Sequence, residues 1–378
     1  MLPQDHSRAL LVGRVQRAHG PALITLRDGR VIDITSREAP TMRDLMERDD
    51  LAAFLRDAPG EDIGGIDEIF AASTETPGAP HLLPPADLQA IKASGVTFAE
   101  SMVERVIEEQ AAGNADRAQE IRARVQGVIG DSLSGIVPGS DKAMQVKAVL
   151  QAEGLWSQYL EVGIGPDAEV FTKCQPMAAV GWGASVGLHP MSNWNNPEPE
   201  IVLAIDSRGR IRGATLGNDV NLRDVEGRSA LLLGKAKDNN ASCSIGPFIR
   251  VFDEHYTMDD MRAAELRLTV TGEDGFALQG RSSMSKISRD PESIVAQTIG
   301  RHHQYPDGFL LFLGTLFAPV QDRDAPGQGF THKTGDVVVI EEARLGALRN
   351  TVRLSTECPE WRFGTGALMR NLAGRGLL

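Results

Sequence analysis

The chain has 378 residues, a formal net charge of −12, 42% hydrophobic and 24% charged residues. That length exceeds one typical core, and the composition is that of an ordinary soluble globular protein. The acidic balance, with no Lys/Arg-rich run, excludes a phosphate-backbone partner, which needs a local basic surplus. Cys174, Cys243 and Cys358 lie far apart with no CxxC spacing, which excludes a disulfide framework and suits a reducing cytoplasm. No run of about 18 apolar residues predicts a membrane span, and the start MLPQDHSRALLVGRV carries no apolar segment of signal-peptide length.

In chain order, residues 9–16 and 21–34 read as short strands, with Asp28-Gly29 as a hairpin turn. Thr41 and Asp44 open a helix over MRDLMERDDLAAFLRDA in the manner of a capping box. The Pro/Gly-rich stretch TETPGAPHLLPPADL marks a linker, so a small N-terminal α+β unit is expected at 1–85 and a second domain at 90–378. Thr97 with Glu100 suggests a second capping box before the long helix FAESMVERVIEEQAAGNADRAQEIRARVQGVIG. Met102, Val103, Val106 and Ile107 form its apolar stripe, and Ser101, Glu104, Arg105 and Glu108 share the opposite face, which reads most simply as solvated. Helical material to about Gly163 is an excursion from a β-rich domain. GWGASVG has the wrong glycine spacing for a dinucleotide site, and no P-loop is present. Residues 266–283 read as a hairpin around Glu273-Asp274-Gly275. Asp290-Pro291 is an N-cap followed by Pro at the first helical position.

The chemistry concentrates in 189–247. Glu198 and Glu200 are two residues apart, so a strand points both carboxylates to one face. Pro199 between them marks a strand start or edge. A turn at Ser207 to Arg210 would fold the chain back and bring Asp219 near them. Three oxygen ligands without His or Cys suit Mg²⁺, or Mn²⁺, better than zinc. Exposed strand carboxylates and a surface Lys237 remain the plain alternative.

The order ExE, NDxxxRD, Gly-Lys-Ala-Lys and IGP resembles the fumarylacetoacetate hydrolase superfamily over roughly 90–378. GTLFAPV and FTHKTGDVV resemble its glycine-threonine loop and late β-turn. The resemblance implies a mixed β-roll catalytic domain beside the small N-terminal α+β unit. It implies Mg²⁺ on Glu198, Glu200 and Asp219, with Lys237 beside a 2-oxo acid substrate. Thr315, Gly314, Arg223 and Lys237 would bind that substrate, in a homodimer or homotetramer. Mg²⁺ acting as a Lewis acid would stabilise the enolate left when a C3 proton departs.

Hydrolytic members carry a His and a Glu three residues apart in a segment like NYADHxxE. TFAESMVE here puts Ser101 and Glu104 at those places, and serine cannot take a proton from water as imidazole does. His189 or His332 could supply a base from elsewhere, but each reads more simply as a loop or packing histidine. The phrases GVTFAESMVERVIEEQ, ISRDP and HHQYPDG resemble the 2-keto-3-deoxy-pentonate dehydratases. The implied reaction turns a 2-dehydro-3-deoxy-D-pentonate into 2,5-dioxopentanoate plus water, with Glu104 and Lys237 as the acid–base pair and Ser101 on a substrate hydroxyl or water. The alternatives are a C–C hydrolase of an acylpyruvate or 2,4-diketo sugar acid, and a member whose site is not catalytic.

Overall fold

The structure is a computed structural model. It describes the chain apart from residues 113, 115–116, 119–120, 122–135, 153, 155, 318 and 326–328, and apart from the side chains of Ala99, Glu100 and Ser101. The part of the expected long helix at 122–130 therefore lies outside the described residues.

The opening strands Leu11–Arg17, Gly20–Arg27 and Arg30–Asp33 form an antiparallel meander. Asp28 and Gly29 have φ of 50° and 74°, the left-handed pair that a tight two-residue hairpin requires. Among the described residues these strands continue an eleven-stranded sheet. Leu11–Arg17 pairs with Cys243–Val251, and the order runs on through Ile211–Asp219, Pro199–Ile205, Phe309–Phe312, Ala90–Gly95 and Glu169–Cys174. All of these pairings are antiparallel except Phe309–Phe312 with Ala90–Gly95. Strands from residues 1–85 and from 90–378 are thus rungs of one ladder.

A five-stranded sheet runs Ala277–Ser283, Glu265–Thr271, Val337–Glu342, Gly346–Leu354 and Ser185–Leu188. Its inward residues Leu266, Leu268, Val338, Ile340 and Val352 share one apolar cluster with Leu203, Leu216 and Phe248 of the large sheet. The strands Pro199–Ile205 and Cys243–Val251 are buried at every residue. A strand covered on both faces holds its ends rigidly, because packing fixes the side chains above and below it. The helical excursion has its own cluster, with Met102, Val106, Ile107, Leu160 and Ile164.

Several local expectations hold. Asp290 accepts from the Glu292 N–H at 2.9 Å with Pro291 inside the helix. The 265–283 hairpin forms in full register. Others change. Thr41 does accept from the Asp44 N–H, but two short helices, Met42–Met46 and Leu51–Asp57, replace the single one. The carbonyls of Glu47 and Arg48 between them are taken by the Arg208 and Arg212 guanidiniums at 2.8 and 2.6 Å, so they are not available to continue a helix. Thr97 is not a cap. Its hydroxyl donates to the Leu313 carbonyl at 2.6 Å, and Phe98 stands at the N-cap of Ala99–Gln110 without a side-chain bond. The helix face expected to be solvated is buried instead, with Glu104, Arg105 and Glu108 only 8%, 7% and 2% exposed.

Buried charge also ties the linker to the core. Asp87 accepts from the Met42 and Arg43 N–H groups at 2.6 and 3.1 Å, and its carboxylate lies 3.7 Å from buried Arg14. Arg14 also donates to the Pro84 and Ala86 carbonyls. Removing one partner of such a pair leaves the other charge uncompensated. Asp87→Ala is expected to cost about 3–5 kcal/mol in urea denaturation, and Asp87→Asn less because it keeps an acceptor. Equal stabilities of the alanine variant and the wild type would refute this role.

Candidate metal centre and active site

Pro199–Ile205 and Ile211–Asp219 form an antiparallel hairpin in which Pro199 faces Asn218 and Glu200 faces Gly217. Asp206 closes the turn by accepting from the Arg208 and Arg210 N–H groups. The Asp219 N–H donates to the Glu198 carbonyl at 3.1 Å. Period-two alternation sets Glu198 and Glu200 on one face, and the register returns Asp219 beside them. One carboxylate oxygen from each of the three lies within 4.8 Å of the others, and the residues are 2%, 1% and 1% exposed.

Three carboxylates this close and this dry repel one another, and only nearby cations make the arrangement tenable. Lys237 donates to Glu198 Oε2 at 2.5 Å and lies 3.2 Å from Asp219 Oδ2. Lys173, fully buried, lies 2.9 Å from Asp219 Oδ1. The Arg105 guanidinium donates to Glu198 Oε1, to Glu226 at 2.8 Å and to Glu108 at 2.7 Å. Glu200 receives the Gly314 N–H at 2.7 Å.

The titration behaviour follows from this crowding. Burial, then Asp219 and Glu198, push the Glu200 carboxyl well above its ordinary range. Burial would also raise Asp219, but Lys173 and Lys237 hold it below the usual value. Burial would discharge Lys237, but Asp219, Glu198 and Glu226 hold it charged above the ordinary lysine range. Burial pushes Glu226 up to about 7 despite Arg105, and burial also raises Glu169.

The donor set fits a hard divalent cation. All three groups offer carboxylate oxygens. Asp219 Oδ1 is buried, and although close to Lys173 it has no hydrogen-bond donor aligned with it. A dication would relieve the mutual repulsion that burial imposes.

The triad, Lys237 and Thr315 line one cavity with Arg105, Glu169, Phe171, Glu226 and residues 94–96. The cavity volume is about 20 Å³. The Thr315 hydroxyl donates to the Phe317 carbonyl at 2.9 Å, which holds this loop while Gly314 serves Glu200. Arg223 and Glu104 do not line this cavity. Arg223 is 1% exposed, ion-paired to Glu104 at 2.9 Å and Glu108 at 2.6 Å, and stacked over Trp194. Both are anchors of the helix Ala99–Gln110 against Arg223–Glu226. Ser101 lies in the first turn of that helix, and its side chain is outside the described residues. His332 is buried against Asp336 at 3.0 Å, and His189 accepts from the Met191 N–H at 3.1 Å.

Sequence reasoning missed Glu169, Lys173, Arg105 and Glu226 as site residues. Glu169 and Lys173 sit in EVFTKC, an ordinary strand pattern, and reach the site only because Glu169–Cys174 pairs with Ala90–Gly95. The only signal for Arg105 and Glu226 was charge on a helical face, which usually means solvent.

Residues 166–353 match the family model described as fumarylacetoacetate (FAA) hydrolase C-terminal. The chain is 30% identical over 185 residues to a protein of Saccharolobus solfataricus named 2-dehydro-3-deoxy-D-arabinonate dehydratase, covering 49% of this chain and 58% of that one. It is 30% identical over 194 residues to a probable 2-keto-3-deoxyxylonate dehydratase of Haloferax volcanii, covering 51% and 63%. The matched segments thus span less than two thirds of each relative's length. The fold is shared with 2-keto-3-deoxy-D-arabinonate dehydratase complexed with magnesium and 2,5-dioxopentanoate, at TM-score 0.63 and 21% identity over 91% of this chain and 99% of that one.

Gly314 tests how tightly the site is built. Its φ is +95°, and a Cβ there would lie 2.1 Å from Thr97 Oγ1 and 3.0 Å from the Ser94 carbonyl. Gly275 also has a positive φ but no atom within 4 Å of its Cβ position. Gly314→Ala is expected to lose about 2–4 kcal/mol, strain plus overpacking, against about 1–2 kcal/mol for Gly275→Ala. Chemical denaturation of the two variants measures the difference, and equal costs would contradict the clash.

Proposed function

We propose that this chain, a member of the fumarylacetoacetate hydrolase family through its residues 166–353, dehydrates a 2-keto-3-deoxy sugar acid with the help of a divalent cation. The observation that carries this reading is the buried Glu198, Glu200 and Asp219 triad sharing one cavity with Lys237. The 30% identity to two proteins named as dehydratases of such acids supports the reaction class. The finer assignment is a 2-dehydro-3-deoxy-D-pentonate as substrate, with 2,5-dioxopentanoate and water as products.

Glu198, Glu200 and Asp219 would hold magnesium. The bound ion would supply Lewis-acid polarisation of a chelated 2-oxo acid. The chain's own groups do the rest. Gly314 keeps Glu200 aimed by its N–H, and Lys173 does the same for Asp219 by charge. Thr315 and residues 94–96 border the space that a bound acid would enter. The C4 hydroxyl is β to the C2 carbonyl, so loss of a C3 proton expels it. Lys237 and Glu169 line the cavity, so the Glu169 carboxylate takes the C3 proton and the charged Lys237 ammonium protonates the departing hydroxyl. Loss of a C5 proton and protonation at C3 then give the C4–C5 enol, whose hydroxyl proton passes to C4 to leave the terminal aldehyde. Glu104, committed to Arg223, positions the helix and does not act on substrate.

Incubation with Mg²⁺ and 2-keto-3-deoxy-D-pentonates, coupled to an aldehyde dehydrogenase, is expected to yield the semialdehyde. Glu169→Gln should lower kcat by about 10²–10⁴-fold with magnesium binding retained. Glu200→Gln should lose magnesium binding and activity together. Pyruvate release from 2,4-diketo acids, with no semialdehyde from any deoxy-pentonate, would instead support C–C hydrolysis and sink this assignment.

A further inference from the structure

We propose that Arg105 is a tethered counter-ion for the cation-free site, so that loading of a divalent cation and release of the helix Ala99–Gln110 from Glu198 are one coupled event. This rests on the metal reading of the triad given above. Both oxygens of Glu198 are already taken by cationic side chains, Oε2 by Lys237 and Oε1 by Arg105. Lys237 comes from the short helix Leu233–Lys237, packed beside Glu169–Cys174 and the Arg223–Glu226 helix. Arg105 comes from the helical excursion, whose apolar cluster is separate from the two that hold the sheets. A helix packed on a separate apolar cluster can move at Arg105 without opening the sheet cores, while its Glu104 and Glu108 pairs to Arg223 keep it attached.

The groups facing Arg105 come from every element around it. Glu108 lies on its own helix, Glu198 on the hairpin, Glu226 on Arg223–Glu226, and Tyr159 on Gln158–Ile164. Its charge is therefore permanent, and it is balanced only while the three carboxylates remain available to it. A dication accepted by Glu198 repels the guanidinium at short range and removes part of that balance. The cavity, about 20 Å³, has room for one ion or one water and none for a five-carbon acid. Withdrawal of Arg105 from Glu198 enlarges the space beside Thr315 and Glu169, where a substrate must sit. The coupling is reciprocal: the Arg105–Glu198 contact weakens cation binding by the factor through which the cation loosens that contact, so removing the guanidinium must strengthen cation binding.

The test uses the full chain without substrate. Magnesium is titrated calorimetrically into wild type, Arg105→Lys and Arg105→Met, and amide hydrogen exchange over 99–110 is followed with and without magnesium. Arg105→Met is expected to bind magnesium about tenfold more tightly, and Arg105→Lys, which keeps the charge, within about threefold of wild type. Exchange in 102–110 of the wild type is expected to speed up on loading. If Arg105→Met does not fold, the wild-type exchange and the lysine variant decide. Equal or weaker binding by a folded Arg105→Met, or unchanged exchange in the loaded wild type, overturns the inference while leaving the triad as a metal site. Failure of the wild type to bind magnesium overturns the metal reading itself, and the counter-ion role with it.

Discussion

Mutual repulsion among carboxylates withdrawn from water governs this molecule. Glu198, Glu200 and Asp219 are nearly inaccessible to solvent, with Glu226 and Glu169 lining the same cavity. Water cannot screen them, so protein cations must. Lys237, Lys173 and Arg105 arrive from three different elements to do so, and each is positioned by backbone that has another structural duty. Lys173 also donates to the Lys237 carbonyl, so the two lysines are braced against each other. The site is held by a balance of opposite charges, and anything that alters one charge is felt by the rest.

That balance explains why the surrounding fold is so rigid where it is. The two strands bearing the triad are central in a sheet covered on both faces, and their hairpin is closed by Asp206 through two backbone N–H groups. Rigid strands keep the carboxylates close against their repulsion. The loop at Gly314 approaches so closely that no side chain fits, which is how one N–H reaches Glu200. The energetic load of holding like charges together is therefore spread over apolar packing far from the site.

The helix Ala99–Gln110 shows the limit of pattern reading. Its alternation of Met102, Val106 and Ile107 with Glu104, Arg105 and Glu108 is that of an amphipathic surface helix. The charged face is nonetheless buried, because Arg223 and Glu226 meet it with complementary charge. A charged face against water and one against an opposite charged face look the same along the chain. Thr97 illustrates a similar ambiguity, since a capping hydroxyl and a tertiary one have the same sequence context.

By itself the sequence pointed to the triad, the hairpin that presents it and a resemblance to the fumarylacetoacetate hydrolase superfamily. Those depend on local rules: two-residue alternation in a strand, a turn of defined length, and a motif confined to 189–247. It also carried Lys237, Gly314 and Thr315 through resemblance. Only the tertiary structure decided that Glu169, Arg105 and Glu226 line the triad's cavity with Lys173 set against Asp219, and that Glu104 and Arg223 pair with each other away from it. The reason is physical. These contacts join residues roughly 45 to 120 positions apart through sheet pairing and charge complementarity, and neither leaves a periodic trace in the chain.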